Sequence, residues 1–273
     1  MLRPDLITQL QDMRDLEWSR SRQSSGTAGS YLKSYGVLGG QRIYYKLSCY
    51  DPIDGITGHE CVNELIISRL LDILGIEHVQ YQLIHALILV QGREYETWLC
   101  ASEDFKAPED SKTALDDYYD LLHRPDESPL EFCRRMGWEK QISRMFLTDY
   151  LILNRDRHGA NMEVLKNRKD NTIRLAPLFD HGLSLLYSCH DVDAVERFDV
   201  MKDLPVQSWL GSRSARSNLE LITIDPEITP LRQSDKYYIM GGIDEVLPGA
   251  LGSKIWQMLI QRWSTYEDIC HKR

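Results

Sequence analysis

Apolar residues open the chain at Leu2, Leu6, Leu10 and Met13, spacings that predict an amphipathic helix over residues 1–22. A small-residue run follows, Ser24-Ser25-Gly26-Thr27-Ala28-Gly29-Ser30, and the period then shortens towards two. Tyr31 to Val37 and Gln41 to Ser48 read as strands joined at Gly39-Gly40, a pair favoured in hairpin turns. Helical spacing returns with Val62, Leu65, Ile66, Leu70 and Ile73. Thr57 and Glu60 stand in front at capping-box spacing, and Gly75 sits where a helix commonly ends. Val79 to Val90 and Glu94 to Cys100 predict a second hairpin about Gln91-Gly92. Residues 23–104 are therefore expected to form a strand-rich lobe holding one helix.

Beyond Ala107 the pattern turns helical, with Leu115 to Leu122, Pro129 to Met136 and Glu139 to Leu153 as helices. A short hairpin interrupts them, Met162 to Leu165 and Thr172 to Leu175 about a polar turn at residues 167–171. Leu251, Ile255, Leu259, Trp263 and Tyr266 mark a terminal helix. Residues 105–273 thus read as a helical lobe. A strand lobe followed by a helical lobe predicts an α+β, two-lobed enzyme with a cleft between the lobes.

Composition narrows the function classes. With 42% apolar and 27% charged residues among 273, the chain is an ordinary globular one. A net charge of -9 argues against nucleic-acid binding by bulk electrostatics. No run approaches the roughly 18 apolar residues of a membrane span, and no secretory signal opens the chain. The six cysteines form no CxxC pair, so reduced thiols in the cytoplasm are expected.

The densest chemistry lies in Asn154-Arg155-Asp156-Arg157-His158-Gly159-Ala160-Asn161. Phosphoryl transfer needs a base for the attacking hydroxyl, oxygen ligands for magnesium and a cation on the phosphates. The spacing Arg155-Asp156-x-x-x-x-Asn161, between a helix end and a hairpin, matches the catalytic loop of kinases. Just after the hairpin, Pro177-Leu178-Phe179-Asp180-His181-Gly182 presents an acid at the end of an apolar strand. Asp156 is then the base, and Asn161 and Asp180 the metal ligands. The bland reading is that these residues cap turns, as Asp and Asn often do. Their order around the hairpin favours chemistry.

The strand lobe supplies a cation. Lys46 alternates with apolar neighbours in Arg42-Ile43-Tyr44-Tyr45-Lys46-Leu47, and Glu64 stands on the following helix, a pairing that holds an amine on ATP phosphates. Lys46 alone reads more readily as an exposed strand lysine, and Glu60 competes with Glu64 from one turn earlier. Ser25, Gly26, Thr27 and Gly29 are expected to fold over the phosphates, although their run matches neither Walker A nor GxGxxG and reads as readily as a linker.

With these residues assembled, the chain resembles a HipA-like serine/threonine kinase, a bacterial group related in fold to phosphatidylinositol 3/4-kinases. The resemblance rests on Lys46, on Asn63-Glu64 opening a helix that runs into Leu74-Gly75-Ile76, on Asp156-Arg157-His158-x-x-Asn161, and on Pro177-Leu178-Phe179-Asp180. It implies ATP and Mg²⁺ as cofactors and a protein substrate with a serine or threonine acceptor. It implies roles for Asp156, Asn161, Asp180 and Lys46 as above, and autophosphorylation within Ser24 to Ser30. A regulatory or antitoxin-like protein is the implied second partner, with neither nucleic acid nor membrane. HipA toxins carry a further N-terminal subdomain, for which this sequence has about 22 residues.

Some readings stay open at this stage. His158 either stabilises the transferring phosphoryl group or fixes the loop. Arg157 is expected to hold the loop, and Arg155 to meet a phosphate or an acid. The alternatives to a protein kinase are a lipid or small-molecule kinase of the same superfamily, or a catalytically silent kinase-like interaction module. Residues 191–224 could face the substrate.

Overall fold

The computed structural model describes residues 4–19 and 31–272. Its first lobe is built on a five-stranded sheet of β1 (Leu6–Asp12), β2 (Lys33–Leu38), β3 (Gln41–Leu47), β4 (Gln82–Val90) and β5 (Arg93–Glu103), in the order β1-β4-β5-β3-β2. All neighbours run antiparallel except β1, which lies parallel to β4 with Leu6 opposite Leu83. Both expected hairpins form, with Gly39 and Gly40 at positive φ in one turn and Gln91 and Gly92 in the other.

The first correction falls at β1. Residues 6–12 of the expected 1–22 helix are a strand. Leu6, Leu10 and Met13 imitate helical spacing, but pairing with β4, some seventy positions away, supplies backbone hydrogen bonds that a local pattern does not register.

Between the hairpins runs α1 (Glu60–Leu74), ended by Gly75 in the left-handed conformation at φ 69°. Its start differs from expectation. Thr57 and Glu60 form no capping box; His59 is the N-cap and makes no side-chain cap bond. Glu60 turns away and accepts from the Cys49 backbone N–H at 3.3 Å. Of its fifteen residues all but Asp72 and Ile73 are buried, so the helix is central to the molecule and has no solvent stripe.

The second lobe contains α2 (Leu115–Leu122), α3 (Pro129–Arg135), α4 (Glu139–Ile152) and the terminal α5 (Gly249–His271), with shorter helical turns between α4 and α5. A Ser128–Glu131 capping box opens α3. The expected hairpin is β7 (Glu163–Asn167) with β8 (Ile173–Leu175). It gains a third strand, β6 (Asp110–Ala114), in the order β8-β7-β6.

The larger apolar core joins α1, α4 and α5 and takes in Leu6 from β1. A smaller one lies in the sheet around Leu47, Ile84, Ile88 and Leu99. Arg69 of α1, 1% exposed, ties distant parts of the chain. Its Nε and Nη2 grip Asp5 at 2.6 and 3.0 Å, and its Nη1 donates to the carbonyls of Ile239 and Gly241 at 3.2 and 2.8 Å.

Candidate active site

The site is assembled from three places: β3 with α1, the loop after α4, and the segment after β8. Lys46, inward on β3, puts its ammonium 3.2 Å from Glu64 Oε1 and 2.5 Å from Asp180 Oδ1. Glu64 has no exposed surface and does more than pair the lysine. It also accepts the backbone N–H groups of His181 at 2.9 Å and Gly182 at 3.1 Å, so it fixes the chain just past Asp180. Asn63, beside it on α1, donates to the carbonyls of Gly182 and Ser184 at 3.1 and 3.0 Å. Asp180 itself sits at φ 57°, a conformation Asp tolerates better than most residues, and its N–H donates to the Tyr81 hydroxyl.

Charges in this knot are mutually dependent. Burial works against the Lys46 ammonium, yet Asp180 and Glu64 outweigh it and lift its pKa well above the ordinary lysine value. Burial also opposes ionisation of Asp180, whose side chain is 29% exposed, but Lys46 reverses this and holds the carboxyl below its usual range. Glu64 is raised, chiefly by burial. The His181 imidazole, buried and next to Arg157 and His78, is held well below its usual pKa and is neutral.

The loop is braced from beneath. Leu153 ends α4 in the left-handed conformation at φ 52°. Asp149 of that helix accepts from Asn154 Nδ2 at 2.9 Å and from Arg157 Nε and Nη2 at 3.0 and 2.9 Å. Arg157 is 1% exposed and also donates to the carbonyls of Asn161 at 3.0 Å and Phe179 at 3.3 Å. It therefore holds the loop to the Asp180 segment, the structural role expected of it. Arg155 pairs with no acid among the described residues; its Nε donates to the Pro205 carbonyl at 2.7 Å.

Above this brace, Asn161 Nδ2 donates to the Asp156 carbonyl at 2.7 Å, and the amide oxygen accepts from no donor among the described residues. The Asp156 carboxyl is raised above its ordinary value by burial and by Asp180, against the opposing pull of His158, Arg157 and Lys46. His158 Nε2 lies 3.7 Å from Asp156 Oδ2, beyond hydrogen-bond reach, and has no partner among the described residues. Part of the 191–224 stretch runs beside this loop. Gln207 and Ser208 pair in parallel with Asp156 and Arg157, and the Gln207 and Trp209 N–H groups donate to the Arg155 and Arg157 carbonyls.

Six residues singled out from sequence thus converge: Lys46, Glu64, Asp156, His158, Asn161 and Asp180. Ser25, Gly26, Thr27 and Gly29, and with them the Ser24–Ser30 loop, lie outside the described residues. The supports Asp149 and Tyr81 escaped sequence reading, and Asn154 was singled out with the loop but given no role, although an Asp and an Asn five apart at a helix end were a usable signal.

No family model matches the sequence, and no curated protein does. Solved structures do match. The Helicobacter pylori proinflammatory kinase CtkA superposes with a TM-score of 0.60 over 96% of both chains at 15% identity. This chain has a kinase fold. Also similar are the Shewanella oneidensis toxin HipA, in a complex with HipB and operator DNA, and a Neurospora crassa PAN3 pseudokinase mutant. HipA matches over 89% of this chain and 64% of its own, with a TM-score of 0.49 at 15% identity. PAN3 matches over 100% and 68%, with a TM-score of 0.35 at 13% identity. Among the described residues no helix is long and apolar enough to cross a membrane.

A kinase fold implies a nucleotide with Mg²⁺, and the donor set fits. A hard cation wants oxygen ligands and keeps several waters. Asp180, whose carboxyl is held below its usual pKa, and the amide oxygen of Asn161 are oxygens of the kind such a cation would take. Among the described residues no group of three or more His, Cys, Asp or Glu is arranged to hold a metal, so a cation here would rest on few protein ligands.

Proposed function

We propose that the chain is an ATP- and Mg²⁺-dependent kinase that phosphorylates a serine or threonine hydroxyl of a protein. The reading is carried by one observation: the Lys46 ammonium is held between Glu64 and Asp180, in the same cleft as Asp156 and Asn161. Bound ATP·Mg²⁺ supplies the phosphoryl group and offsets the charge that develops on it. Asn161 and Asp180 would hold the metal, and Lys46 the phosphates. Glu64 keeps Lys46 aimed and the backbone after Asp180 in place. Asp156 accepts the proton of the acceptor hydroxyl, and its raised pKa makes it a better base than an ordinary carboxylate. The extended Gln207–Ser208 segment beside Asp156 offers a ledge along which a polypeptide acceptor can lie.

The test is label transfer from γ-labelled ATP, with a protein mixture in one arm and lipid vesicles in the other. Wild type should label serine or threonine in protein, and Asp156→Ala should be slower by about 10²–10⁴-fold, the usual size of a general-base contribution. An Asp156→Ala protein that folds normally and is as active as wild type overturns the assignment. Label in lipid alone overturns the acceptor. Phosphopeptide mass spectrometry of the same reaction reads autophosphorylation within Ser24 to Ser30, and an unmodified segment removes that part of the reading.

A further inference from the structure

Lys33 opens β2 directly opposite Lys46 of β3. Residues paired in this way send their side chains to the same face of a sheet, with Cβ atoms about 4.5–5.5 Å apart. Leu32 and Ser34 are buried towards the other face, Leu32 in the smaller core and Ser34 with its hydroxyl on the Glu17 carbonyl at 2.7 Å. Lys33 therefore stands exposed on the cleft side, beside Lys46. Its backbone is fixed there, because its carbonyl accepts from the Ser19 N–H at 2.8 Å and from the Ser19 hydroxyl at 2.9 Å.

Like charges directly opposite one another weaken a strand pair, so two facing lysines call for a reason. They are not equally provided for. The Lys46 ammonium is taken up by Glu64 and Asp180, and the Tyr31 ring covers it from 5.2 Å. Lys33 has no ion pair and no side-chain hydrogen bond among the described residues, yet its charge reaches the site. Burial opposes ionisation of Asp180, and it is Lys46 and, after it, Lys33 that hold that carboxyl below its usual range. A polyphosphate entering the cleft meets three acids, Glu64, Asp156 and Asp180, and in Lys46 a cation already engaged by two of them. Lys33 is a cation within reach that is not so engaged.

We propose that Lys33 is a second phosphate-binding residue, its ammonium meeting the polyphosphate of a bound nucleotide from the sheet edge while Lys46 meets it from within. The anion then lies against both lysines and relieves their repulsion. Such a role rests on the kinase reading and adds to it a residue outside the catalytic-loop pattern.

An edge-strand lysine also deters strand addition, a role that involves no nucleotide. Calorimetric titration of the full chain with Mg·ATP separates the two, with thermal unfolding to establish that each variant is folded. Lys33→Met should bind Mg·ATP about tenfold more weakly than wild type, the equivalent of one hydrogen bond to a charged group. Its affinity should also fall less steeply with added salt, one charge contact being gone. Lys33→Arg, which keeps the charge, should bind nearly as tightly as wild type. The role fails, and the kinase reading stands, if folded Lys33→Met binds Mg·ATP as wild type does, if its salt dependence is unchanged, or if Lys33→Arg is as weak as Lys33→Met. Wild type that binds no Mg·ATP overturns both.

Discussion

Asp156 is pulled in two directions. Burial and Asp180 raise its proton affinity, while His158, Arg157 and Lys46 lower it, and the net shift is upward. The acid limb of turnover should therefore lie above the ordinary aspartate value, activity being lost as pH falls and the base is protonated. His158→Gln removes one lowering influence, so that limb should move to higher pH. A pH profile of kcat reads this, and an unmoved limb would mean that His158 exerts no field on the base. Arg157 answers to a different measurement. Replacing it with Met strands Asp149 and uncouples the carbonyls of Asn161 and Phe179, and denaturant unfolding should show a loss of about 3–5 kcal/mol. At this scale the sequence was most informative. Asp156 and Asn161 could be picked out together because they lie five residues apart on one loop, and Asp180 because it follows the next hairpin; the structure brings the three near one another. Tyr81 was not, since only the folded chain brings its hydroxyl to Asp180.

At the scale of elements, α1 decides where the cleft residues stand. One turn of it carries both Glu64, which meets Lys46, and Asn63, which bonds the carbonyls after Asp180. Asn63→Leu keeps the volume and removes both donors. Stability should fall by about 2–4 kcal/mol, in line with stranding buried carbonyls, and the KM for ATP should rise because Asp180 loses its backing. Gly182 belongs to the same contact. A Cβ there would come within 3.1 Å of the Glu60 side chain and 3.5 Å of its carbonyl. Gly182→Ala should therefore push the first turn of α1 outward and lower turnover more than stability, read by comparing kcat with Tm. The elements misread from sequence share one cause. The strand β1 is completed by a partner far along the chain, and β6, with its polar sequence Asp110-Ser-Lys-Thr-Ala114, is a strand because β7 pairs with it. The apolar stripe of α1 was visible, but its all-round burial was not, because the second lobe closes over the face that a lone amphipathic helix would leave wet.

For the whole molecule, the division into lobes by sequence differs from the division by packing. By order in the chain α1 belongs with the sheet, yet its side chains sit in the larger core with α4 and α5. Local stability follows burial, so α1 amides should exchange with solvent as slowly as those of α4, and those of β2 at the sheet edge much faster. Hydrogen exchange read by mass spectrometry tests this, and α1 exchanging with β2 would return it to the sheet. The Arg69 junction carries the point into biosynthesis. Asp5 leaves the ribosome before Arg69, whereas the carbonyls of Ile239 and Gly241 follow it by well over a hundred residues. Until those carbonyls emerge, a guanidinium meant for the interior has half its partners missing. The early-made lobe must then wait, incomplete, for a stretch of chain synthesised much later than itself.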